Sequence, residues 1–280
     1  MVKVSVVIST YNGEKYIKEC VSSILSQTFR NFEIIIVDDF STDDTAKVIQ
    51  EIQAQDERIF YYSNFCHNHS MALNFGLQHA KGDYIARIDQ DDIMTTTRLM
   101  EQVDYMEQHK DVDVCCSWFS TFGDFEQNVE LLKGDIEFAE YQLLITNILP
   151  NPTAMIRKVF LDRHKIKYNS QYQYAEDYAF WIECALFGAK FHIIPRFLQR
   201  YRIHNAQNST LHSWEQYCET LKMRTYLINV LRERHKSWSD VTHLIEALWD
   251  ISSQGKISIE TVFRIANELY INSLKQATNR

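Results

Sequence analysis

Glycine and proline are scarce in this chain, 7 and 3 of 280 residues, which leaves little room for long flexible linkers. None of the six cysteines (Cys20, Cys66, Cys115, Cys116, Cys184, Cys218) forms a C-x-x-C pair, and they read as reduced thiols of a cytosolic protein. No stretch approaches the roughly 18 apolar residues of a membrane span. No secretory signal is expected, because the apolar run Val4–Ile8 passes straight into polar Ser9-Thr10-Tyr11-Asn12. A surplus of positive charge is missing too. The formal net charge of -8 argues against a general nucleic-acid binder. Of 29 basic and 37 acidic residues, Ser213 to the end holds 9 and 8, so the excess acid lies earlier.

What is present suits a soluble globular protein of one large domain or two, with 45% hydrophobic and 24% charged residues. Val4–Ile8, Glu33–Val37, Ile59–Tyr62 and Tyr84–Ile88 are short, apolar runs of the kind buried on both faces of a parallel sheet. Ile17, Cys20, Val21, Ile24 and Leu25 recur at helical spacing between the first two. Thr42–Ile52 (capped by Thr42 or Asp43), Ser70–Ala80 and Arg98–His109 read as further helices, before a strand at Val112–Phe119. This alternation predicts a parallel, doubly wound sheet with right-handed crossovers. From Gly123 to Arg202 the pattern is less regular, with a helix over Ala175–Phe187 and strands at Phe191–Ile194 and Leu198–Arg202. Three helical segments are expected after Ser213. Ser213 with Gln216 suggests a capping box, Gly255 ends the second segment, and Ser258 caps the third.

The chemistry-bearing residues cluster at strand ends. Asp89-Gln90-Asp91-Asp92 follows Tyr84–Ile88, and three carboxylates so close repel unless a cation or charged ligand joins them. Hard divalent ions take oxygen ligands, usually one or two carboxylates plus substrate phosphates. The first strand ends in Ser9-Thr10-Tyr11-Asn12 and the second in Asp38-Asp39-Phe40-Ser41. In open α/β sheets ligands bind past such ends. An aromatic face, carboxylates and a metal–phosphate site are parts for a nucleoside diphosphate. Singly each motif also reads as a solvated acidic loop or a helix cap.

In order, Val4-Ser5-Val6-Val7-Ile8-Ser9-Thr10-Tyr11-Asn12, Ser23-Ile24-Leu25-Ser26-Gln27-Thr28 and Val37-Asp38-Asp39-Phe40-Ser41-Thr42-Asp43 resemble the start of family 2 glycosyltransferases of the GT-A fold. Ala72-Leu73-Asn74-Phe75-Gly76, the run Ala80–Asp92, Glu176-Asp177-Tyr178 and Tyr201-Arg202-Ile203-His204 extend the resemblance over about residues 1–210. It implies a GT-A domain over 1–211, with a nucleotide-sugar half at about 1–110 and an acceptor half at about 111–211. A helical appendage over 212–280 follows. The implied activity is inverting, Mn²⁺- or Mg²⁺-dependent transfer from a UDP-sugar to a glycan or lipid-linked glycan of a bacterial surface polysaccharide. It implies a cytoplasmic protein, with peripheral contact to the inner membrane surface as one option.

Residue by residue, the resemblance puts Tyr11 on the base with Thr10 beside it, Asp39 as acceptor from the base, and Asp89 near the ribose. Asp91 coordinates the metal, His204 completes the metal or pyrophosphate contacts, and Asp177 is the general base. Glu176, Arg202 and Asp92 are candidates for support. A single carboxylate opposite a metal-neutralised leaving group suffices for inversion. The competing classes are a sugar-nucleotide pyrophosphorylase, which would need a Gly-rich loop after the first strand, and a non-catalytic binding scaffold. A dehydrogenase is disfavoured because no G-x-G-x-x-G follows a strand.

The chain departs from the family where Ser9 replaces proline and where Phe40 and Asp44 replace glycines, so the Asp38-Asp39 turn is expected to keep ordinary φ values. Cys66-His67-Asn68-His69 stands in place of a Gly-rich segment, and His67-x-His69 reads as a polar loop or a metal pair. The basic and aromatic residues Lys222, Arg224, Arg232, Arg234, His235 and Lys236, with Trp214, Tyr217 and Trp238, suit either of two roles. One is a helix packing through Leu221, Leu227 and Leu231; the other is a foot on anionic lipid.

Overall fold

The computed structural model describes residues 2–63, 67–137, 139–205 and 207–234. The chain divides into two compact units, residues 1–137 with 149–216 and residues 138–148 with 217–280.

The larger unit is built on one mixed sheet. Its first half is β1 (Val4–Thr10), α1 (Ile17–Leu25), β2 (Phe32–Asp38), α2 (Thr45–Gln53), β3 (Ile59–Ser63), α3 (His69–His79) and β4 (Tyr84–Arg87), and these strands are all parallel. Every residue of β1, β2 and β4 is buried, as expected for strands covered on both faces. Helix α1 turns Ile17, Cys20, Val21 and Ile24 into the core. Gly76 of α3 leaves room for Val7, whose Cγ1 would lie 2.5 Å from an added Cβ.

The second half follows as β5 (Ile93–Met94), α4 (Arg98–Gln108), β6 (Val114–Gly123), β7 (Asn128–Val129), β8 (Gly134–Ile136), β9 (Met155–Arg157), α6 (Lys158–His164), α7 (Glu176–Leu186), β10 (Phe191–Ile203) and α8 (Asn208–Leu211). The short α5 (Ala139–Gln142) belongs to the smaller unit. The strand order is β3-β2-β1-β4-β9-β6-β10-β5, with β7 on β6 and β8 on β10. The strand read at Val112–Phe119 does not join β4 as a further parallel neighbour. The short β9 lies antiparallel between them, and β6 instead runs parallel to β10. The two strands read at Phe191–Ile194 and Leu198–Arg202 are one, β10, with register shifts around Phe197. In the first half, chain order moves from β1 to β3 on one side and then to β4 on the other, so the strand order reverses between β1 and β4. A ligand crevice is expected at that point.

Two buried arginines brace this reversal. Arg87 donates to the Val7 carbonyl (2.8 Å) and to Asp89 (3.0 Å). Arg98 donates to the Arg87 and Pro152 carbonyls and to Gln199 Oε1 (2.7, 2.8 and 2.6 Å). Burial pushes the Arg98 guanidinium down to about 10, so it stays charged at neutral pH.

The helix α9 (Ser213–Arg234) crosses from the larger unit into the smaller one. The expected capping box does not form. Ser213 is already inside the helix, Gln216 N–H bonds the His212 carbonyl, and the Gln216 amide donates to the Tyr174 carbonyl at 2.9 Å. The buried stripe is Met223, Leu227 and Leu231 at four-residue spacing, with Arg224 also buried; Leu221 is 40% exposed. The helical segments expected beyond residue 234, with His235, Lys236, Trp238, Gly255 and Ser258, lie outside the described residues, as do the Arg232 and Arg234 side chains. Among the described residues no helix is long and apolar enough to cross a membrane.

Candidate active site

The parallel strands bring the expected residues to one sheet edge. Where β1 ends, Asp39 N–H donates to the Thr10 carbonyl (2.7 Å), and Asp39 Oδ1 accepts from Asn68 N–H (3.1 Å). Asp38 is a brace, accepting from Ser41 N–H (2.9 Å) and the Tyr61 hydroxyl (3.0 Å). Asn12 and Ser41 tie the first two loops together, through Asn12 N–H to Ser41 Oγ and Thr42 N–H to Asn12 Oδ1, both 2.9 Å. The N-cap of α2 is Asp44, without a side-chain capping bond, rather than Thr42 or Asp43, although Asp43 still braces the first turn. Its Oδ1 accepts both the N–H and the hydroxyl of Thr45, the first residue of the helix.

The Asp38-Asp39 turn does not keep ordinary φ values. Phe40 adopts φ +68°, the left-handed region its missing glycine would have entered freely. Asn12 and His67 do the same at +47° and +46°. Asn12 follows Tyr11 in the chain and His67 links Tyr11 to Phe40, and backbone conformations of this kind collect at binding sites. The His67 ring stands edge-on to Tyr11 and to Phe40, at 5.2 Å from each, and both of those side chains are 46% exposed. The result is an open aromatic platform. The possible His67–His69 metal pair is not formed, since His69 turns instead toward Glu176 (3.5 Å).

The Asp89–Asp92 segment separates into distinct roles. Asp89 is one-third exposed and held by Arg87. Gln90 reaches across to β1, where its Oε1 accepts from the Thr10 hydroxyl and from Tyr11 N–H and its amide donates to the Tyr11 carbonyl. Asp91 pairs with His204 Nε2 at 2.8 Å. Burial first, and Asp89 second, hold the Asp91 carboxyl above its usual range, with the His204 contact acting against them. Asp92 is fully buried and faces away from solvent, accepting from Arg202 N–H (2.9 Å) and the Gln199 amide (3.1 Å). It is a strut between the β4 loop and β10. Arg202 likewise packs over Tyr16 and Phe122, pairs with Glu19 and donates to the Asp91 carbonyl.

Helix α7 begins with Glu176 and Asp177. Glu176 is largely buried beside His69. Burial, then the neighbouring Asp177 charge, push its carboxyl well above the carboxylate range, while burial pushes the His69 imidazole down to about 4. Asp177 is half-buried, with Oδ1 accepting from Tyr178 N–H. One carboxyl of the pair is therefore largely withdrawn from water and the other meets solvent.

Among the described residues no three His, Cys, Asp or Glu side chains form a ready metal cluster. The pair Asp91–His204 nevertheless fits an ion that also takes oxygens from a substrate diphosphate and water. Such an ion needs only one or two protein ligands, and a cation would offset the charge crowding at Asp91. Reading the sequence missed Gln90, Arg87 and Arg98. For Arg87 the available signal was an arginine within a buried apolar run, where a charge requires partners.

Residues 5–166 match the family model for Glycosyl transferase family 2. A glycosyltransferase of Haemophilus influenzae is 35% identical over 246 residues, covering 81% of this chain and 74% of that protein. The UDP-Glc:alpha-D-GlcNAc-diphosphoundecaprenol beta-1,3-glucosyltransferase WfaP of Escherichia coli is 34% identical, covering 72% of this chain and 77% of its own. Among solved structures, S. aureus TarS 1-349 in complex with UDP superposes with a TM-score of 0.66 at 22% identity, over 81% of this chain and 65% of that one. The sheet reversal between β1 and β4, the strand-end carboxylates and these likenesses agree: the chain belongs to glycosyltransferase family 2, on a GT-A fold.

Proposed function

We propose that the chain moves a sugar from a UDP-sugar, a UDP-hexose or UDP-N-acetylhexosamine, to a hydroxyl of a glycan joined through diphosphate to a lipid, with inversion. The observation that carries this reading is the Asp89-Gln90-Asp91 segment lying at the β1/β4 reversal, clamped to Tyr11 on one side and to His204 on the other. The acceptor class follows the chemistry printed for WfaP, and the donor nucleotide follows the UDP of TarS.

In this reading Tyr11, with His67 and Phe40 beside it, stacks on the base, Asp39 accepts from its N–H, and Asp89 orients the ribose. Asp91 and His204 would hold Mn²⁺ or Mg²⁺, which would supply positive charge to offset that of the leaving diphosphate. Asp177 accepts the proton of the acceptor hydroxyl as that oxygen attacks the anomeric carbon. Beside it stands Glu176, whose carboxyl burial pushes well above its usual range. A single carboxylate on the attacking side gives direct displacement. Residues 1–211 carry the catalysis, and the enzyme works on the cytoplasmic side. The test is turnover of UDP-glucose and UDP-N-acetylglucosamine with and without Mn²⁺, with the product anomer assigned by NMR. A retained anomeric configuration, or full activity in excess chelator, overturns the reading.

A further inference from the structure

A cavity of about 680 Å³ lies between α3, α6 and the segment 165–170, outside the strand-end site. Its buried lining is apolar, with Ile85, Leu161 and Ile166 beside half-buried Phe75, while exposed Met71, Lys165 and Lys167 lie toward its mouth with Lys158. Asp162 is the one acid in the described lining, and it is already paired with Lys158 at 2.6 Å. Lys165 and Lys167 are exposed. Lys165 closes α6 in the left-handed conformation, φ +56°, a position where glycine is the usual occupant. An apolar floor under surplus positive charge selects a ligand that is anionic at one end and greasy at the other.

The cavity is joined rigidly to the acceptor side of the site. Asn74 on α3 exchanges two 2.8 Å hydrogen bonds with the Tyr168 backbone, and Ser70 donates to the Tyr172 carbonyl at 3.2 Å. The same segment runs on to Glu176 and Asp177 at the start of α7. Along α3, His69 stands 3.5 Å from Glu176, whereas Met71 to Gln78 line the cavity. At 1.5 Å per residue the lining starts about 3 Å and ends about 14 Å along the helix from that contact. A sugar presenting its hydroxyl to Asp177 can therefore extend its reducing-end diphosphate toward the lysine rim.

We propose that this cavity binds the diphosphate and first isoprene units of a polyprenyl-diphosphate-linked acceptor, Lys165 and Lys167 meeting the phosphates and Met71, Phe75 and Ile166 the hydrocarbon. Lysine is an adaptable point charge for phosphate, and the apolar floor removes the chain from water. The inference rests on the lipid-linked acceptor reading above.

Farnesyl diphosphate, inorganic pyrophosphate and farnesol are titrated against the full chain by calorimetry, beside UDP with Mn²⁺. Farnesyl diphosphate is expected to bind at least tenfold more tightly than either fragment. The double variant Lys165→Glu/Lys167→Glu should lose at least tenfold of that affinity, and Met71→Glu several-fold, with UDP binding and the thermal midpoint unchanged. Met71 is 43% exposed, so that variant keeps its fold. Pyrophosphate binding as tightly as farnesyl diphosphate, or both variants binding like the wild type, overturns the cavity's role. UDP bound without farnesyl diphosphate overturns the cavity alone. Failure of the wild type to bind UDP overturns the donor reading instead.

Discussion

The Gln90 side chain and the Tyr11 backbone form a two-bond clamp across the sheet reversal: Gln90 Oε1 accepts from Tyr11 N–H at 3.0 Å, and its amide donates to the Tyr11 carbonyl at 3.1 Å. The amide occupies space that only a glycine at position 13 leaves. A Cβ on Gly13 would sit 2.4 Å from Gln90 Oε1 and 2.6 Å from Thr10 Oγ1. Gly13→Ala should displace the clamp, weakening UDP binding about tenfold with a small change in stability, because the displaced atoms end a flexible side chain. Unaltered UDP affinity in calorimetry would remove the clamp from nucleotide positioning.

Metal dependence separates the two members of the Asp91–His204 pair. Asp91→Ala should abolish the Mn²⁺-dependent tightening of UDP binding and lower turnover by orders of magnitude. His204→Ala should weaken it by less, since an acidic oxygen ligand remains for a hard cation. Titration of UDP with Mn²⁺ and with chelator measures both. Equal affinities in the two buffers for the wild type would sink the metal assignment.

Asp177→Asn keeps the shape of the carboxylate and removes its capacity to accept a proton. Turnover should fall about 10²–10⁴-fold with UDP-sugar affinity little changed. A parallel loss of nucleotide affinity would move Asp177 out of the base role.

Glu176 gives a pH signature. Its folded-state carboxyl is raised by burial and by Asp177 above the ordinary 4.5, so between those values the folded protein holds a proton that the unfolded chain has released. The stability it contributes is full below 4.5 and is lost as pH rises through the folded value. His69, lowered from 6.5 to about 4, contributes a slope of the opposite sign between those values, and Glu176→Gln leaves that contribution in place. Glu176→Gln, which mimics the protonated acid, should remove the downward contribution to urea-unfolding free energy that appears as pH rises above 4.5. A wild-type curve that falls no further than the variant's would count against the buried proton.

At the opposite edge of the sheet, Ser5 Oγ donates to Glu33 (2.6 Å), Glu33 accepts from Lys81 N–H (2.8 Å), and Gly82 N–H donates to Ser5 Oγ (2.8 Å). A Cβ at position 82 would lie 2.6 Å from Ser5 N and 2.8 Å from the Val4 carbonyl carbon, both backbone atoms. Gly82→Ala should therefore cost about 1–3 kcal/mol. A urea midpoint equal to the wild type's would show that β1 and β4 can separate there.

Much of the donor half was legible in the sequence because its signals are local. Runs such as Val4–Ile8 and Glu33–Val37 can be buried on both faces only in a covered sheet, and the polar residues after them must mark strand ends. Tyr11, Asp39, Asp89 and Asp91 could be picked out for that reason, whereas the base role of Asp177, at the start of a helix, came from the resemblance. His204 came from resemblance, and only the folded chain shows it 2.8 Å from Asp91, a residue 113 positions away in sequence.

Sequence by itself determined the αβ alternation, the family, and which polar residues stand at the ends of the parallel strands, because apolar periodicity and strand-end polarity depend on near neighbours. Tertiary structure alone decided that β9 enters between β4 and β6 and that Phe40 takes a left-handed turn. It also turned Asp92 into a buried strut and Gln90 into the clamp on Tyr11. Those outcomes follow from pairings between distant segments, where a buried donor or acceptor must find whatever partner the packed sheet brings within reach.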